Sequence, residues 1–352
     1  MKNIVEVKSD KPSTHLRIEY MVGNYCNFSC WYCGPHANGG THRWHEDTEF
    51  LLKNFRHMFD FFMKNGKTSF ELNLLGGEPA LWPDVAYFSK EIKRTHPVEV
   101  TMTTNGSRTL RWWDQNADAF DKIRFSCHPN EVDVDHYISV LDLVFSKGIS
   151  MNALVLMDPT NWDRSIEIIK KCKKSKYPWF LNAVEVFSEH QYTEEQRKYI
   201  AKCVKRRPSI WWILKHDIKS FKKPRVVFED GKSKYIERNF LSLNDLNHFK
   251  GWSCNVGLDN INIQKDGILT GTCNMKLYGK DFYYNIYDED FVEKFNPELK
   301  PVICEVDSCW CQPEQLLDKK KVLNPEQVQS LSKEYPLHMY TNLEYKSLVQ
   351  KG

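Results

Sequence analysis

Three cysteines lie close together directly after a short apolar segment, in the stretch Cys26-Asn27-Phe28-Ser29-Cys30-Trp31-Tyr32-Cys33. We call residues 26–33 the cysteine loop. Thiols at this spacing can converge on one metal centre. A cube of four irons and four sulfides usually takes four thiolates, so a run that offers three leaves one iron without a protein ligand. Because an open coordination position distinguishes a reactive metal site from a closed structural one, the loop predicts a reactive metal centre.

The cysteine loop resembles the C-x3-C-x2-C motif of the radical S-adenosylmethionine (radical SAM) superfamily, whose three thiolates bind a [4Fe-4S] cluster. An aromatic residue before the third cysteine is also usual in that family, and Tyr32 occupies this position. The resemblance implies that Cys26, Cys30 and Cys33 bind the cluster and that S-adenosylmethionine (SAM) chelates the open iron. One electron would then split SAM into methionine and a 5′-deoxyadenosyl radical.

A single zinc ion is the main alternative for the cysteine loop. Zinc would need a fourth Cys or His nearby, and His36, His42 and His45 keep that alternative open. Disulfides are disfavoured, because the N-terminus has no apolar signal segment and eleven cysteines would suit a secreted scaffold only in a much shorter chain.

Length and composition are those of an ordinary globular protein. The 352 residues can bury one large core, or one large domain and a small one. Charged residues make up 27% of the chain, and the net charge of +3 is too small to indicate a nucleic-acid partner by itself. No apolar run approaches the roughly 20 residues of a membrane-spanning helix. We therefore expect a cytoplasmic protein with no membrane partner and a disfavoured nucleic-acid partner.

Residues 15–206 alternate short apolar runs with amphipathic stretches, which predicts an α/β fold of repeated strand-helix units around a parallel sheet. The predicted strands cover residues 16–22, 70–75, 98–103, 122–126, 149–156 and 179–187. Six units fit the partial (β/α)6 barrel that the radical SAM resemblance implies. Counting strands and helices alone leaves a doubly wound sheet open. In both folds, reactive groups gather beyond the carboxyl ends of the strands.

The rest of the chain predicts a smaller second module. We expect the barrel over residues 1–207, a bridging segment over 208–250, an auxiliary domain over 251–317 and a helical tail over 318–352. The bridging segment contains a predicted hairpin at residues 226–232. The auxiliary domain contains a predicted turn at Lys265-Asp266-Gly267 between two strands.

The second predicted strand runs into Gly76-Gly77-Glu78-Pro79. Two glycines let the backbone approach a ligand closely without side-chain interference. The four residues match letter for letter the G-G-E-P strand end that binds the SAM amino group in the radical SAM superfamily. The resemblance therefore implies that Gly76, Gly77 and Glu78 bind SAM, whereas a plain glycine turn before a surface glutamate is the alternative.

Polar residues on the following strands are further candidates for SAM contacts, because the family often places ribose or carboxylate contacts there. They are Thr104, Asn105, Ser126 and Asn152. Ordinary capping or turn hydrogen bonds are the alternative for each of them.

Three other residues are candidates for contact with a substrate. His128 follows the fourth predicted strand, where an imidazole could act as a catalytic acid or base. Asn182 and Glu185 lie on the sixth predicted strand and could face a substrate cavity.

Five cysteines form a second group: Cys254, Cys273, Cys304, Cys309 and Cys311. A pair flanking a hairpin, followed by a close-spaced pair, can assemble four thiolates around one cluster. The group resembles the SPASM/twitch auxiliary domain of radical SAM enzymes, and its short C-x4-C-x-C run favours the one-cluster twitch version. The four ligands stay open, with all but Cys304 as our first choice, and a structural zinc is the alternative.

Together these features predict a radical SAM enzyme with SAM, a SAM-binding [4Fe-4S] cluster and an auxiliary [4Fe-4S] cluster. The resemblance implies hydrogen abstraction from an unidentified substrate, which could be a peptide, an aminocyclitol or a nucleotide. It also implies a one-electron donor such as flavodoxin or ferredoxin. A first ligand at Cys26 leaves no room for a leader-binding domain, which weakens the peptide-maturase hypothesis. A protein that only carries electrons is disfavoured, because it needs no amine-binding turn.

Overall fold

The computed structural model describes residues 3–175, 177–183, 192–204, 224–236, 241, 246–270, 284–304, 308–309 and 312–323. The chain divides into two compact units. The first unit comprises Met1–Glu19, His57–Glu71 and Leu214–Met339, and the second comprises Tyr20–Arg56, Leu72–Ile213 and Tyr340–Gly352. Our predicted domains run consecutively along the chain, whereas each observed unit combines separate segments. The reason is non-local pairing, since the first strand of the chain pairs with strands that follow residue 224.

The β-strands are β1 Ile4–Lys8, β2 His15–Met21, β3 Ser69–Leu75, β4 Val98–Thr104, β5 Lys122–Cys127, β6 Ser150–Met157, β7 Trp179–Ala183, β8 Arg225–Phe228, β9 Ser233–Tyr235, β10 Trp252–Cys254, β11 Asn260–Ile263, β12 Ile268–Thr270, β13 Tyr284–Asn285, β14 Val302–Ile303 and β15 Lys319–Lys321. The α-helices are α1 Pro35–Asn38, α2 Thr48–Lys64, α3 Val85–Thr95, α4 Leu110–Asn116, α5 Val134–Ser146, α6 Trp162–Cys172, α7 Glu194–Val204, α8 Phe291–Lys294 and α9 Gln312–Gln315. Short 3-10 helices cover Pro79–Leu81 and Ala117–Ala119.

The second unit contains the predicted strand-helix repeats. Strands β4, β5, β6 and β7 pair in chain order and all run parallel. A doubly wound sheet reverses its strand order at a switch point, and these four strands show no reversal. All six strands predicted between residues 16 and 187 are present, although the last is described only as far as Ala183. The α/β class predicted from the sequence is therefore confirmed.

The ends of these strands determine where the candidate residues lie. β4 ends at Thr104, β5 ends one residue before His128, and β6 ends one residue before Asp158. The carboxyl ends of parallel strands meet at one edge of a sheet, which is where ligands bind in folds of this class. The loops that follow β4, β5 and β6 therefore share one edge.

The first unit contains an antiparallel sheet with the strand order β14-β10-β15-β1-β8-β9. The hairpin predicted at residues 226–232 is present as β8 and β9, and Gly231 in its turn has a φ of 77°. The predicted turn at Lys265-Asp266-Gly267 is also present, between the antiparallel strands β11 and β12. One apolar core of this unit contains Val7, Val226, Phe249 and Trp252.

Strand β15 differs from the helical tail expected from residue 318 onward. Its residues pair with β1 on one side and with β10 on the other, so they complete a sheet rather than begin a helix. Residues 324–352 lie outside the described residues. Within the part of the chain that the structure describes, no helix is long and apolar enough to cross a membrane.

Candidate active site

The three thiols of the cysteine loop are withdrawn from solvent in the second unit. Cys30 is only 6% exposed, and Cys26 and Cys33 are half-buried. Burial raises the pKa of Cys26 to about 11 and that of Cys30 to about 12, and the proximity of Cys33 adds to both increases. Burial also raises the pKa of Cys33. The thiols are thus close enough to repel each other as thiolates, and a cationic metal centre would offset that repulsion and displace their protons.

A single zinc ion at the cysteine loop would need a fourth ligand from a nearby side chain. Among the described residues, no three His, Cys, Asp or Glu side chains are placed to hold one metal ion. A cube of irons and sulfides instead binds its thiolates through separate irons. His42 Nδ1 lies 2.9 Å from Thr41 Oγ1, and His45 Nδ1 lies 3.0 Å from the Asp47 carbonyl oxygen. The His36 side chain lies outside the described residues. Binding of a cluster rather than a zinc ion at the cysteine loop stays a prediction.

His128 lies against the cysteine loop. Its Nδ1 atom is 3.3 Å from Cys30 Sγ and 3.0 Å from the Tyr32 hydroxyl oxygen, and its ring stacks on Tyr32. Burial lowers the pKa of His128 to about 4, so its imidazole is neutral at pH 7, and burial raises the pKa of Tyr32 above its ordinary value. A neutral imidazole in this position supports a metal-binding loop. The role of His128 as an acid or base on substrate stays a prediction.

The two glycines at the end of β3 lie against the backbone that leads into the cysteine loop. Gly76 has a φ of 87° and Gly77 a φ of 21°. A Cβ atom on Gly77 would lie 2.1 Å from the Tyr25 carbonyl oxygen, and one on Gly76 would lie 2.4 Å from the Gly23 carbonyl oxygen. The absence of side chains at both positions thus allows close approach to this backbone. Contact of Gly76 and Gly77 with SAM stays a prediction. The Glu78 N–H donates to the Tyr25 carbonyl oxygen at 2.9 Å, so this turn positions Glu78 beside the loop.

Glu78 is a buried carboxylate, 2% exposed, that accepts three hydrogen bonds. Its Oε1 atom accepts from the Ala80 N–H at 2.9 Å and from the Thr104 hydroxyl at 2.6 Å. Its Oε2 atom accepts from the Asn105 N–H at 2.6 Å. A carboxylate offers about four acceptor positions, so one is left for a further donor. Burial raises the pKa of Glu78 to about 7, against the opposing effect of these hydrogen bonds, and a cationic donor would favour the ionised form.

Thr104 and Asn105, predicted to contact SAM, both contact Glu78. Asn105 also reaches the cysteine loop, because its Nδ2 atom donates to Asn27 Oδ1 at 3.1 Å and lies 3.8 Å from Cys26 Sγ. Asn105 therefore connects the buried carboxylate to the first cysteine. This places the predicted amine site and the predicted cluster site side by side.

Ser126 and Asn152 are half-buried on neighbouring parallel strands. Asn152 is the register partner of Arg124, which lies two residues before Ser126 and hence on the same face of the sheet. Arg124 Nη1 donates to Asn73 Oδ1 at 3.1 Å, so this face is polar. Contact of Ser126 and Asn152 with SAM stays a prediction. Glu185 and the side chain of Asn182 lie outside the described residues.

Asp158 was not among the residues singled out from the sequence. It is fully buried at the end of β6, and its Oδ2 atom accepts from Trp31 Nε1 at 2.9 Å and from the Asn130 side-chain amide. Its Oδ1 atom accepts from the Thr160 N–H at 2.8 Å and the Thr160 hydroxyl at 2.7 Å. One carboxylate thus connects the cysteine loop to the loops after β5 and β6. The available signal was an Asp directly after an apolar strand, Met157-Asp158-Pro159.

Replacing Asp158 by Ala should lower the free energy of unfolding by roughly 3 kcal/mol, because several donors lose a fully buried acceptor. Denaturant unfolding of the metal-free protein measures this loss. Asp142, exposed on α5, provides the control, since Asp142→Ala should change the free energy by less than about 0.5 kcal/mol. Equal effects of the two substitutions would show that the Asp158 network contributes no particular stability.

Three of the five cysteines in the second group are described, all in the first unit. Cys254 and Cys304 are buried, and Cys309 is half-buried. The Cys304 N–H donates to the Trp252 carbonyl oxygen at 2.7 Å, which holds it beside β10. Cys273 and Cys311 lie outside the described residues, so a four-thiolate set stays a prediction.

Lys319 lies among these cysteines. It is 4% exposed on β15 and is the register partner of Cys254 on β10, so the two side chains share one face of the sheet. Burial lowers the pKa of Lys319, but negative charge on Cys254, Cys309, Cys304 and Glu314 raises it, and the net shift is upward. Cys304, which is absent from our first-choice ligand set, is held beside the strand that carries Cys254, and Cys309 packs against the same apolar core as Cys304.

Comparisons with known proteins agree with this site. Residues 20–184 match the model of the Radical SAM superfamily. A relative described as a probable GTP 3′,8-cyclase, from Thermoplasma volcanium, is 25% identical over 206 residues, which are 54% of this chain and 59% of the relative. The matched region therefore spans about three-fifths of that relative's length.

Two solved structures with bound SAM are also similar to this chain. Native anSMEcpe with bound AdoMet has a TM-score of 0.49 at 13% identity and covers 80% of this chain and 81% of its own. Streptococcus suis SuiB bound to S-adenosylmethionine has a TM-score of 0.46 at 13% identity and covers 80% of this chain and 63% of its own.

The family match coincides with the site described above. It contains the cysteine loop, the Gly76-Gly77 turn, Glu78 and the strands from β4 to β6. The superfamily implies a [4Fe-4S] cluster and SAM as cofactors, and the three clustered, buried thiols fit the cluster. Residues 20–184 therefore form a Radical SAM superfamily domain.

Proposed function

We propose that this chain cleaves SAM reductively and uses the resulting radical to abstract hydrogen from a substrate held at the mouth of a partial (β/α)6 barrel. The supporting observation is that Asn105 joins the buried Glu78 carboxylate to Cys26, so an amine site adjoins three clustered thiols. When bound, the [4Fe-4S] cluster would supply the electron that splits SAM into methionine and a 5′-deoxyadenosyl radical. An electron carrier would need no such amine site.

In this proposal, separate residues of the chain bind the cluster, bind the SAM amine and position the Glu78 carboxylate. Cys26, Cys30 and Cys33 would hold the cluster, and the fourth acceptor position of Glu78 would bind the SAM amine. Thr104 and Asn105 hold the Glu78 carboxylate in place by donating to both of its oxygens. Because burial disfavours the ionised form of Glu78 and a bound ammonium favours it, the site is suited to a cationic ligand.

Replacing Glu78 by Gln should weaken SAM binding by roughly 10- to 150-fold, which is about 1.5 to 3 kcal/mol for a lost charge-assisted hydrogen bond. Equilibrium titration of the reconstituted protein with SAM measures this change, and the iron content should not fall. Glu99→Gln, at an exposed position on β4, is the matched control and should bind SAM normally. Unchanged affinity in Glu78→Gln would show that the carboxylate is only structural.

A second [4Fe-4S] cluster of the twitch type is part of this proposal. Four of the five cysteines of the second group would hold it, and it would bind substrate or take up the electron left after hydrogen abstraction. Support comes from the pairing of Cys254 with Lys319 across β10 and β15, from the hydrogen bond that holds Cys304 beside β10, and from the packing of Cys309 against the core that contains Cys304. A one-electron donor such as flavodoxin or ferredoxin would supply the reducing equivalent.

Among the expected substrate classes, the probable GTP 3′,8-cyclase relative favours a nucleotide. Formation of 5′-deoxyadenosine from unlabelled SAM should then be faster with GTP or another nucleotide than without substrate. To test all classes together, the reduced enzyme is given extract fractions from cells grown in heavy water. Deuterium in 5′-deoxyadenosine would identify the fraction that holds the substrate. If only a peptide fraction transferred deuterium to 5′-deoxyadenosine, a peptide maturase would be favoured. If only a nucleic-acid fraction did so, a nucleic-acid-modifying enzyme would be favoured.

A further inference from the structure

Lys319 is a buried cation that forms no direct ion pair with a carboxylate among the residues that the structure describes, although the charge of Glu314 also acts on its ammonium. Its Nζ atom donates to the Glu314 carbonyl oxygen at 2.6 Å and lies 4.3 Å from the centre of the Phe249 ring. The Glu314 carboxylate accepts instead from Asn262 Nδ2 at 3.1 Å. Burying a charge is unfavourable unless it is paired. The fold therefore keeps an ammonium in an apolar site for which these contacts provide no full counter-charge.

Lys67 in the same unit shows the ordinary way to bury a lysine. It is 7% exposed, and its Nζ atom lies 2.6 Å from Asp259 Oδ1. It also donates to the carbonyl oxygens of Ser13 and His15. Asp259 thus offsets its charge in the folded protein, with or without any bound group. Lys319 has no carboxylate in an equivalent position among the described residues, so another anion would have to offset its charge.

The residues around Lys319 suggest that anion. Cys254 is the register partner of Lys319 in the β10–β15 pair, and the hydrogen bond from the Cys304 N–H to the Trp252 carbonyl oxygen holds Cys304 beside the same strand β10. Thiols are neutral when protonated, but they become thiolates when they bind a metal. A metal centre held by four thiolates is negatively charged, whether it is an iron-sulfur cube or a zinc ion. Such a centre would provide the missing counter-charge.

We propose that Lys319 is the built-in counter-ion of the auxiliary cysteine site, where its ammonium stabilises a thiolate-bound metal centre and raises the reduction potential of an iron-sulfur cluster. The inference rests on the proposed auxiliary site. Net charge near a cluster is one of the factors that set its potential. A nearby cation favours the reduced form, which carries one more negative charge. Lys319 would thereby make the auxiliary cluster a better electron acceptor.

This role predicts that one substitution shifts the unfolding midpoint in opposite directions in metal-free and metal-loaded protein. A merely structural lysine would not produce this change of sign. In metal-free protein, Lys319→Met removes a buried, unpaired charge, so it should raise the unfolding midpoint. In metal-loaded protein the same substitution removes the counter-ion of a negative centre, so it should lower the midpoint. We expect shifts of at least about 2 °C in opposite directions. Lys319→Arg keeps the charge. The unfolding midpoints of its metal-free and metal-loaded forms should therefore stand in the same order as those of wild type.

The test uses the full-length chain with Cys26, Cys30 and Cys33 replaced by Ala, so that only the auxiliary site binds metal. Unfolding midpoints are measured before and after reconstitution with iron and sulfide, and iron and zinc are counted. A redox titration should show that Lys319→Met lowers the ratio of reduced to oxidised cluster at least tenfold at a fixed potential, or 59 mV for one electron. Lys67→Met is the control and should lower both midpoints, because Asp259 loses its partner.

The outcomes separate this inference from the function on which it rests. Loss of stability in both forms with an unchanged potential would show that Lys319 is only structural, and would overturn the inference while leaving the cluster. If the auxiliary site bound one zinc ion and Lys319→Met still shifted the two unfolding midpoints in opposite directions, the proposed cluster would be overturned. The role of Lys319 as counter-ion would be supported. Absence of any bound metal in the parent chain with Lys319 would overturn both.

Discussion

Replacing Cys30 by Ala is expected to reduce SAM cleavage to background and to remove about four irons per chain. Cys30 is the most buried thiol of the cysteine loop, and its substitution leaves only two thiolates for a cube that normally needs at least three from the protein. The SAM-binding iron would be lost with the cube. Iron analysis after anaerobic reconstitution and chromatographic measurement of 5′-deoxyadenosine test both effects.

Cys172 provides a matched control for this substitution. It is fully buried in α6, away from the cysteine loop in sequence. Cys172→Ala removes a buried sulfur from a helix and should destabilise the chain only modestly, by about 1 kcal/mol. Its iron content and SAM cleavage should equal those of wild type. Normal SAM cleavage by Cys30→Ala would contradict the assigned role of the loop.

Replacing Cys254 and Cys309 together by Ala should halve the iron content, from about eight irons to about four. Slow SAM cleavage without substrate should survive, because the three thiols of the cysteine loop lie in the other compact unit of the chain. Cleavage stimulated by the substrate fraction should be lost, since the proposed auxiliary cluster either binds substrate or accepts its electron.

The converse variant supplies the control. Replacing Cys26, Cys30 and Cys33 by Ala should leave about four irons at the auxiliary site and no SAM cleavage. If the Cys254 and Cys309 variant kept all eight irons, those two thiols would not be ligands. If wild type held about four irons and one zinc, the second site would be structural zinc.

Local patterns were sufficient to predict the strands and the cysteine loop. Alternating apolar runs and helical spacing predicted the six strands of the repeat region, because each element depends mainly on its own residues. The Gly76-Gly77 turn was also located correctly. The approach of the Tyr25 backbone to Gly77 could not be predicted, because only the fold brings these two segments together.

Features that depend on long-range contacts could not be predicted in this way. β1 pairs with β15 more than 300 residues away, and no local pattern specifies such a partner. Asp158 reads in sequence as a turn residue after a strand, yet it accepts hydrogen bonds from three separate loops. Lys319 belongs to a run of three lysines that suggests an exposed segment, yet its pairing with Cys254 buries it.

Metal content and SAM cleavage of the wild-type chain test the central claim most directly. The protein is reconstituted anaerobically with iron and sulfide, reduced with dithionite and incubated with SAM. We predict about eight irons per chain, four at each proposed cluster site, and formation of 5′-deoxyadenosine, because Glu78 adjoins the cysteine loop. Zinc in place of iron at the cysteine loop, with no 5′-deoxyadenosine formed, would contradict it.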